Sequence, residues 1–252
     1  MRALVAVLAA ALLISPGAHA ADAKAVLTPT RERIEQADYR ITGHMVRVDP
    51  DGKRTNLGVT IKAHWFPGLL KVLVDIGSPV DARAHILMEM RPNGESSIRI
   101  AHPGDSAAAV LPFDHWTDGP LGSGFSYEDF LESQFFWPTQ TLTEKIKYGA
   151  RDCDMLKSVP GTAERTHYAE VSTWLDHAIG FPVHVEKTMK GSGAVKEFTN
   201  FGLRHEQGVW SASQVEVKTR GQAGSTLLII DRGSAKANLT AEDFSPARMV
   251  HF

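Results

Sequence analysis

Residues 59–76 read VTIKAHWFPGLLKVLVDI, and two runs within this stretch place apolar side chains at every second position. The apolar residues are Val59, Ile61, Ala63 and Trp65 in the first run and Val72, Val74 and Ile76 in the second. Successive side chains of a strand point to opposite faces of a sheet, so the pattern gives each strand one apolar face. The stretch therefore predicts two half-buried β-strands.

The same alternation continues on both sides of this stretch. It recurs at Tyr39, Ile41 and Met45 before it, and at Ile86, Met88 and Met90 after it. Later segments that favour strands are residues 166–175, 182–190, 195–203, 209–219 and 225–231. Helix-length apolar periodicity is scarce, which argues against alternating strands and helices. The pattern predicts a mainly β chain of about eleven strands.

Four turn motifs indicate that neighbouring strands run antiparallel. They are PDG at residues 50–52, PNG at 92–94, GSG at 191–193 and GQAG at 221–224. Each motif lies between two strand-like segments, and Gly, Asn and Asp tolerate the positive φ that tight hairpins need. We therefore expect a single antiparallel sheet.

The strand pattern is interrupted in mid-chain by the sequence FSYEDFL at residues 125–131. Ser126 is a favourable N-cap residue, and Asp129 can complete a capping box. The motif predicts a helix over residues 127–136 that ends by Pro138. Because this helix lies between two blocks of strands, we expect it to cover a sheet face or plug an opening, with residues 116–137 controlling access.

The first twenty residues have the form of a signal peptide. Arg2 supplies a positive start, residues 3–14 are apolar, and Ala18-His19-Ala20 matches the small-x-small cleavage site. The apolar run is shorter than the roughly 20 residues that span a bilayer. We therefore expect cleavage after Ala20, export to the periplasm, and a single mature domain over residues 21–252. Residues 21–29 are expected to form a flexible entry, and residues 30–37 a short helix.

The net charge and the number of cysteines limit the partners and the covalent cross-links that can be expected. The formal net charge is −2, which gives no reason to expect nucleic acid as a partner. Cys153 is the only cysteine, so the chain cannot form an internal disulfide. Stability must therefore come from the core, and Cys153 is expected to be a small buried residue within it.

The order of several short motifs resembles the outer-membrane lipoprotein-sorting, or LolA-like, proteins, in their longer and less characterised branch. The central motif is GSGFSYEDF at residues 122–130, with KVLVD at 71–75 and ILMEM at 86–90 before it. The motifs after it are RDCDML at 151–156, Pro160, Tyr168, WLD at 174–176, PVHVE at 182–186, Lys196, GVW at 208–210 and DF at 243–244.

This resemblance implies a fold and a class of activity. The fold is a single strongly curved, incompletely closed antiparallel β-barrel with a few short helices covering or plugging its concave face. The implied activity is carriage of a lipoprotein acyl group or another lipid in an apolar cavity, within outer-membrane lipid or lipoprotein trafficking. The implied partners are acyl chains, an inner-membrane exporter and an outer-membrane acceptor. Apolar burial would favour a free sterol-like or hopanoid lipid as cargo equally well.

A lipid cavity needs apolar side chains on the concave face, since burial of each CH₂ group contributes about 0.8 kcal/mol. The candidate ligand-binding residues are Trp65, Val72, Val74, Ile76, Ile86, Met88 and Met90 from the strands and Phe130, Phe135 and Phe136 from the predicted helix. Met88 and Met90 carry flexible, polarisable side chains that adapt to ligands of variable shape. A packed core under the helix is the alternative explanation of the same residues.

Enzymatic and metal-binding alternatives find less support. Gly104-Asp105-Ser106 resembles the nucleophile block of a lipase-like family, but no Asp-x-x-His motif supplies its base. His167, His177 and His184 could meet across neighbouring strands as metal ligands, although no metal-binding motif occurs. We therefore expect no catalytic residues, no metal and no cofactor. The main alternative to a carrier is a lipid-sensing interaction module that partners a membrane exporter or regulator.

Overall fold

A computed structural model of the protein describes residues 16–252, and these form a mainly β fold. The strands are β1 (Asp38–Val48), β2 (Arg54–Phe66), β3 (Leu69–Ser78), β4 (Ala84–Met90), β5 (Ser96–Ala101), β6 (Ala109–Val110), β7 (Thr139–Tyr148), β8 (Arg151–Val159), β9 (Tyr168–Asp176), β10 (Pro182–Met189), β11 (Val195–Phe201), β12 (Arg204–Glu206), β13 (Val209–Ser211), β14 (Gln214–Thr219) and β15 (Ser225–Ser234). The α-helices are α1 (Pro16–Glu35) and α2 (Pro246–Val250), and short 3₁₀ helices cover Val80–Ala82, Phe113–His115, Pro120–Gly122, Tyr127–Leu131, Ser133–Phe136 and Ala241–Phe244.

Two antiparallel meanders form the main sheet and meet at a central seam. Among the described residues it has 13 strands, in the order β6-β5-β4-β3-β2-β1-β15-β14-β11-β10-β9-β8-β7. The seam is the β1–β15 pairing, which contains a register shift between Thr42 and Gly43. The outermost strands, β6 and β7, do not pair with each other, so the sheet is not closed into a barrel. The expected mainly β, antiparallel fold is confirmed, but the described strands form an open sheet rather than the expected incompletely closed barrel.

The sheet curves around an internal segment, defined as residues 126–137. The 3₁₀ helix Tyr127–Leu131 contacts β3 and β4 in one half of the sheet. In the same helix, Asp129 forms an ion pair with Lys187 of β10, which belongs to the other half. Side chains from both halves and from α1 contribute to one continuous core. The internal segment therefore lies within the concave side, as its position in the sequence predicts.

All four predicted hairpins are confirmed. The PDG, PNG, GSG and GQAG motifs join β1 to β2, β4 to β5, β10 to β11 and β14 to β15. Gly52, at the tip of the first hairpin, has a φ of 84°, which an L side chain rarely adopts. Turn chemistry therefore identified these connections correctly.

The strand count and the N-terminal expectations need correction. The described residues form 15 strands rather than about eleven, partly because the predicted strand 209–219 is divided into β13 and β14. The region before Thr30 is helical: α1 runs from Pro16 to Glu35 and buries Ala23, Leu27 and Ile34. Burial of these three side chains stabilises a helix whose sequence has no strong apolar periodicity. Residues 1–15 of the predicted signal peptide lie outside the described part of the chain.

The predicted helix over residues 127–136 is also only partly correct. Two 3₁₀ helices, Tyr127–Leu131 and Ser133–Phe136, replace it, and Glu132 between them has a φ of 47°. The capping interaction is present, because the Ser126 N–H donates to Asp129 Oδ2 at 2.7 Å. The left-handed residue redirects the chain, so the side chains before and after it lie at different places in the core.

A second apolar cluster lies outside the concave core and was not predicted. Its buried members are Leu73, Leu87, Ala101, Leu239, Phe244 and Met249. The C-terminal residues thus cover side chains of β3, β4 and β5 whose sequence neighbours belong to the concave core. None of the helices among the described residues is long and apolar enough to cross a membrane.

Candidate functional site

The concave side of the sheet contains an inner cavity of about 250 Å³. Its lining is mainly apolar and comes from both meanders. The apolar side chains from the strands are Ile41, Ile61, Ala63, Leu70, Val72, Val185, Phe198, Val215 and Leu228. Phe125, directly before the internal segment, and Phe130 and Leu131 within it also line the cavity. A cavity of this composition favours an apolar ligand.

An outer cavity of about 270 Å³ adjoins the inner one. The small β12–β13 hairpin lines one side of it with Arg204, Glu206, Val209 and Trp210. Ile41, Val215 and Leu228 line both cavities, so the two spaces share part of one apolar wall. Together they form a larger concave site than either would alone.

An ion pair lies where the two cavities meet. Arg33 Nη2 of α1 donates to both carboxylate oxygens of Glu132 at 2.9 Å, and both residues line both cavities. The Arg33 guanidinium also lies 5.3 Å from the centre of the Phe181 ring. This pair joins α1 to the internal segment beside the apolar wall.

A buried charged cluster fixes the other end of the internal segment. Asp129 accepts hydrogen bonds from Lys187 Nζ at 3.0 Å, Lys196 Nζ at 2.7 Å and the Tyr168 hydroxyl at 2.7 Å. Lys196 Nζ also donates to Ser126 Oγ at 2.7 Å. Asp129 and Lys187 line the inner cavity, so the cluster places charge within an otherwise apolar site.

Burial and neighbouring charges act in opposite directions on this cluster. Burial by itself would raise the pKa of Asp129, but the charges of Lys187 and Lys196 outweigh it and hold that pKa well below its usual value. Burial and the Asp129 charge raise the pKa of Tyr168 well above 10.0. Asp129 therefore remains ionised and Tyr168 remains a hydrogen-bond donor at neutral pH.

The adjacent carboxyl group behaves differently. Burial raises the pKa of Glu128, although its hydrogen bond from Thr166 opposes that change. Thr166 Oγ1 donates to Glu128 Oε2 at 2.8 Å, and the His167 N–H donates to the same carboxylate at 3.3 Å. Glu128 thus joins the internal segment to the loop directly before β9, and its partners differ from those of Asp129.

The structure divides the predicted ligand-binding residues between cavity and core. Val72 and Phe130 line the inner cavity. Met90 and Phe136 line a small separate space of about 10 Å³. The others pack in the concave core without lining either larger cavity: Trp65, Val74, Ile76, Ile86, Met88 and Phe135. Ligand contact stays a prediction for all ten, and the cavity walls now identify other residues for the same role.

Sequence reasoning missed the lining residues of the second meander. Val185, Phe198, Val215 and Leu228 belong to strands that were expected, and their alternation gave them an apolar face. The missing information was the β1–β15 pairing, which brings this meander against the first. Lys187 and Lys196 occupy inward positions of β10 and β11, in line with apolar residues of the same strands. A charged residue at such a position was the one sequence feature that could have indicated a buried polar site.

The candidate metal and nucleophile residues lie in separate places. His167 contacts Glu128, His177 contacts Asp154, and the His184 ring stacks on Tyr148 at 4.7 Å. Within residues 16–252 no group of three or more His, Cys, Asp or Glu side chains could hold a metal ion. At the lipase-like motif, the Asp105 carboxylate accepts from the His102 N–H at 2.7 Å and Ser106 is exposed, as in an ordinary surface turn.

Comparison with solved structures identifies the fold. An outer membrane lipoprotein-sorting protein domain from Vibrio parahaemolyticus has a TM-score of 0.79 at 20% identity, covering 90% of this chain and 99% of that one. A DUF1329 family protein from Desulfovibrio piger has a TM-score of 0.80 at 14% identity, covering 90% and 98%. A LolA superfamily protein from Nitrosomonas europaea has a TM-score of 0.68 at 14% identity, covering 90% and 98%.

Sequence comparisons add a family assignment. No curated protein matches the chain. A family model described as "Uncharacterized protein" matches residues 116–251, more than half of the chain, and includes the internal segment and all the strands of the second meander. The chain therefore belongs to this family, and its fold is that of the LolA-like lipoprotein-sorting proteins.

Proposed function

We propose that the protein is a periplasmic carrier that holds an acyl chain of a lipid or lipoprotein in its two adjoining cavities. The single observation that supports this function best is the mainly apolar wall shared by the inner and outer cavities. A chain placed along that wall would leave water, and burial of each CH₂ group contributes about 0.8 kcal/mol. Binding would be driven by apolar burial and would need no covalent step.

Export to the periplasm is part of the proposal. Cleavage after Ala20 would leave residues 21–35 of α1 attached to the sheet, where Ala23 and Leu27 are buried. The mature chain would then keep the helix that supplies Arg33 to the boundary between the cavities. Residues 21–252 would act as one domain, because α1, both meanders and the internal segment contribute to one core.

The proposed cargo is a lipid or the acyl group of a lipoprotein, and its exchange would involve an inner-membrane exporter or an outer-membrane acceptor. The fold shared with lipoprotein-sorting domains supports this role. The open cavity also favours a carrier over an interaction module that only senses lipid, since such a module needs no space for a cargo. We assign no catalytic residues in this proposal.

Native mass spectrometry of the protein purified from periplasm tests the function directly. We expect a bound acylated or polycyclic species that solvent extraction releases for lipid analysis. Ala63→Phe adds a ring to the wall of the inner cavity and should lower the bound fraction at least fivefold. Ile146→Phe, on edge strand β7 and away from both cavities, is the matched control and should keep the cargo.

A mass without ligand, together with no uptake when lipids are offered in excess, would contradict the carrier function. The interaction module would then be the better explanation. Equal loss of cargo from both variants would show that the inner cavity is not the binding site.

A further inference from the structure

In the buried cluster at the inner cavity, two ammonium groups form ion pairs with a single carboxylate. Lys187 and Lys196 share one carboxylate, Asp129, and their side chains are only 5% and 9% exposed. Among residues 16–252, no second carboxylate lies within the 4.0 Å ion-pair distance of either ammonium group. Glu128 interacts with Lys187 from beyond the ion-pair distance and accepts hydrogen bonds from Thr166 and His167. Unused N–H donors on a buried ammonium group are costly, so the site favours an added hydrogen-bond acceptor.

The two lysines differ in how many hydrogen bonds they already make. Lys196 Nζ donates to both Ser126 Oγ and Asp129 Oδ2. Lys187 Nζ donates to Asp129 Oδ1 alone, and an ammonium group has three N–H donors. Its other neighbours are the Tyr168 and Phe198 rings, whose centres lie 5.1 and 4.9 Å away. Lys187 also lines the inner cavity, whereas Lys196 lies behind it.

We infer that the inner cavity binds a single-chain fatty acid head-first, with its carboxylate accepting a hydrogen bond from Lys187. This inference rests on the proposed lipid-carrier function and specifies the ligand class. A cavity of about 250 Å³ has room for a small head group, and a diacyl phospholipid is too large to bring its phosphate to Lys187. The carboxylate head would accept from one of the Lys187 N–H groups that Asp129 leaves unused.

The alkyl chain then lies along the rest of the wall. From Lys187 of β10 it would pass Val185 and Val215 and reach Leu228, which lines both cavities. The chain end would lie in the outer cavity beside Trp210. Binding in this direction places the charged head beside the cluster and the apolar tail against apolar side chains.

Calorimetric titration of the mature protein with palmitate and with 1-hexadecanol tests the inference. The two ligands have the same chain length and differ in the charge of the head group. We expect palmitate to bind at least tenfold more tightly than hexadecanol. Lys187→Met should weaken palmitate binding at least tenfold and change hexadecanol binding less than twofold. Lys187→Arg should retain the preference, and Lys218→Met, at an exposed position on β14, is the matched control.

Lys187→Met is expected to fold, because Asp129 keeps its hydrogen bonds with Lys196, Tyr168 and Ser126. If palmitate and hexadecanol bind equally and Lys187→Met changes neither, the head-first inference fails and the carrier function stands. If neither ligand binds the wild-type protein, the fatty-acid inference fails, and native mass spectrometry of the periplasmic protein decides the carrier function separately. If Lys187→Met melts at a far lower temperature than Lys218→Met, Lys187→Arg takes its place in the comparison. Loss of the preference for palmitate in Lys187→Arg would also overturn the inference.

Discussion

Lys187 Nζ lies 3.0 Å from Asp129 Oδ1, and this contact joins β10 of the second meander to an internal segment that also packs on β3 and β4. Both side chains are almost completely buried. The contact therefore holds the two halves of the sheet at a fixed separation on either side of the inner cavity. Loss of the Asp129 carboxylate, which also pairs with Lys196, should therefore lower stability.

Asp129→Asn should destabilise the protein by about 3–5 kcal/mol, because it removes the carboxylate with which two buried ammonium groups form ion pairs. Urea unfolding followed by circular dichroism measures the change. The same experiment on Asp152→Asn, at an exposed position on β8, provides the control. A decrease in the free energy of unfolding of less than about 1 kcal/mol for Asp129→Asn would show that the cluster contributes little to holding the internal segment in place.

The pH dependence of stability should show the contribution of Asp129. Its folded-state pKa lies below the usual value, so its contribution is fully present above about pH 4 and is lost as the pH falls through the folded-state value. We expect the wild-type protein to lose stability relative to Asp129→Asn as the solution is acidified below pH 4. A constant difference between the two proteins across that range would contradict this assignment.

Glu128→Gln should have an effect of the opposite sign on pH dependence. Burial raises the folded-state pKa of Glu128, so its ionisation costs more in the folded protein than in the unfolded chain. The free energy of unfolding therefore falls as the pH rises from 4.5, the ordinary pKa of the group, through the folded-state pKa. The glutamine variant keeps an acceptor for Thr166 and carries no charge. We therefore expect its stability to decline less than that of the wild-type protein between pH 4 and 8. Parallel curves would show that Glu128 does not titrate differently on folding.

A double-mutant cycle on Arg33→Met and Glu132→Gln should give a coupling energy of about 0.5–1 kcal/mol, since their side chains are 17% and 34% exposed and solvent screens the pair. Urea unfolding of the four proteins supplies the cycle. A coupling energy indistinguishable from zero would mean that the pair does not fasten α1 to the internal segment.

Phe244→Ala should destabilise the protein by about 3–5 kcal/mol, because Phe244 is 2% exposed and packs edge-on against Phe66. Phe252→Ala, at a position that is 44% exposed, is the control and should cost less. Thermal unfolding compares the two. Equal effects would show that the C-terminal cluster contributes little to the stability of β3–β5.

Local sequence patterns predicted much of the fold. Alternation at residues 59–76 and the four turn motifs identified strands and hairpins, because both depend on neighbouring residues only. The division of 209–219 into β13 and β14 depends on packing between distant strands, and the sequence carries no separate signal for it. Only the end of helix α1, within residues 30–37, was predicted, since Ala23 and Leu27 are buried without forming a regular apolar face of the helix.

The site was less predictable than the fold. Met88 and Met90 have the side-chain chemistry of a flexible lipid contact, yet strand register places them in the packed core. Only Val72 and Phe130 among the predicted residues line the inner cavity. The position of a cavity depends on where packing is incomplete between elements distant in the sequence. Lys187 could have been noticed as a charged residue in an inward position, but its pairing with Asp129 required the tertiary structure.

The β1–β15 seam has a consequence for folding kinetics. His44 Nδ1 lies 3.2 Å from Asp231 Oδ2 across it, although the two residues are 187 positions apart in the chain. Sheets that depend on such distant pairings fold slowly, because the cost of closing a long loop precedes any stabilising contact. Each meander can form from local hairpins, but β1 has no partner on its outer side until β15 is available. While the chain is being synthesised, the outer edge of β1 therefore stays unpaired, and such edges favour aggregation, until β15 has been made.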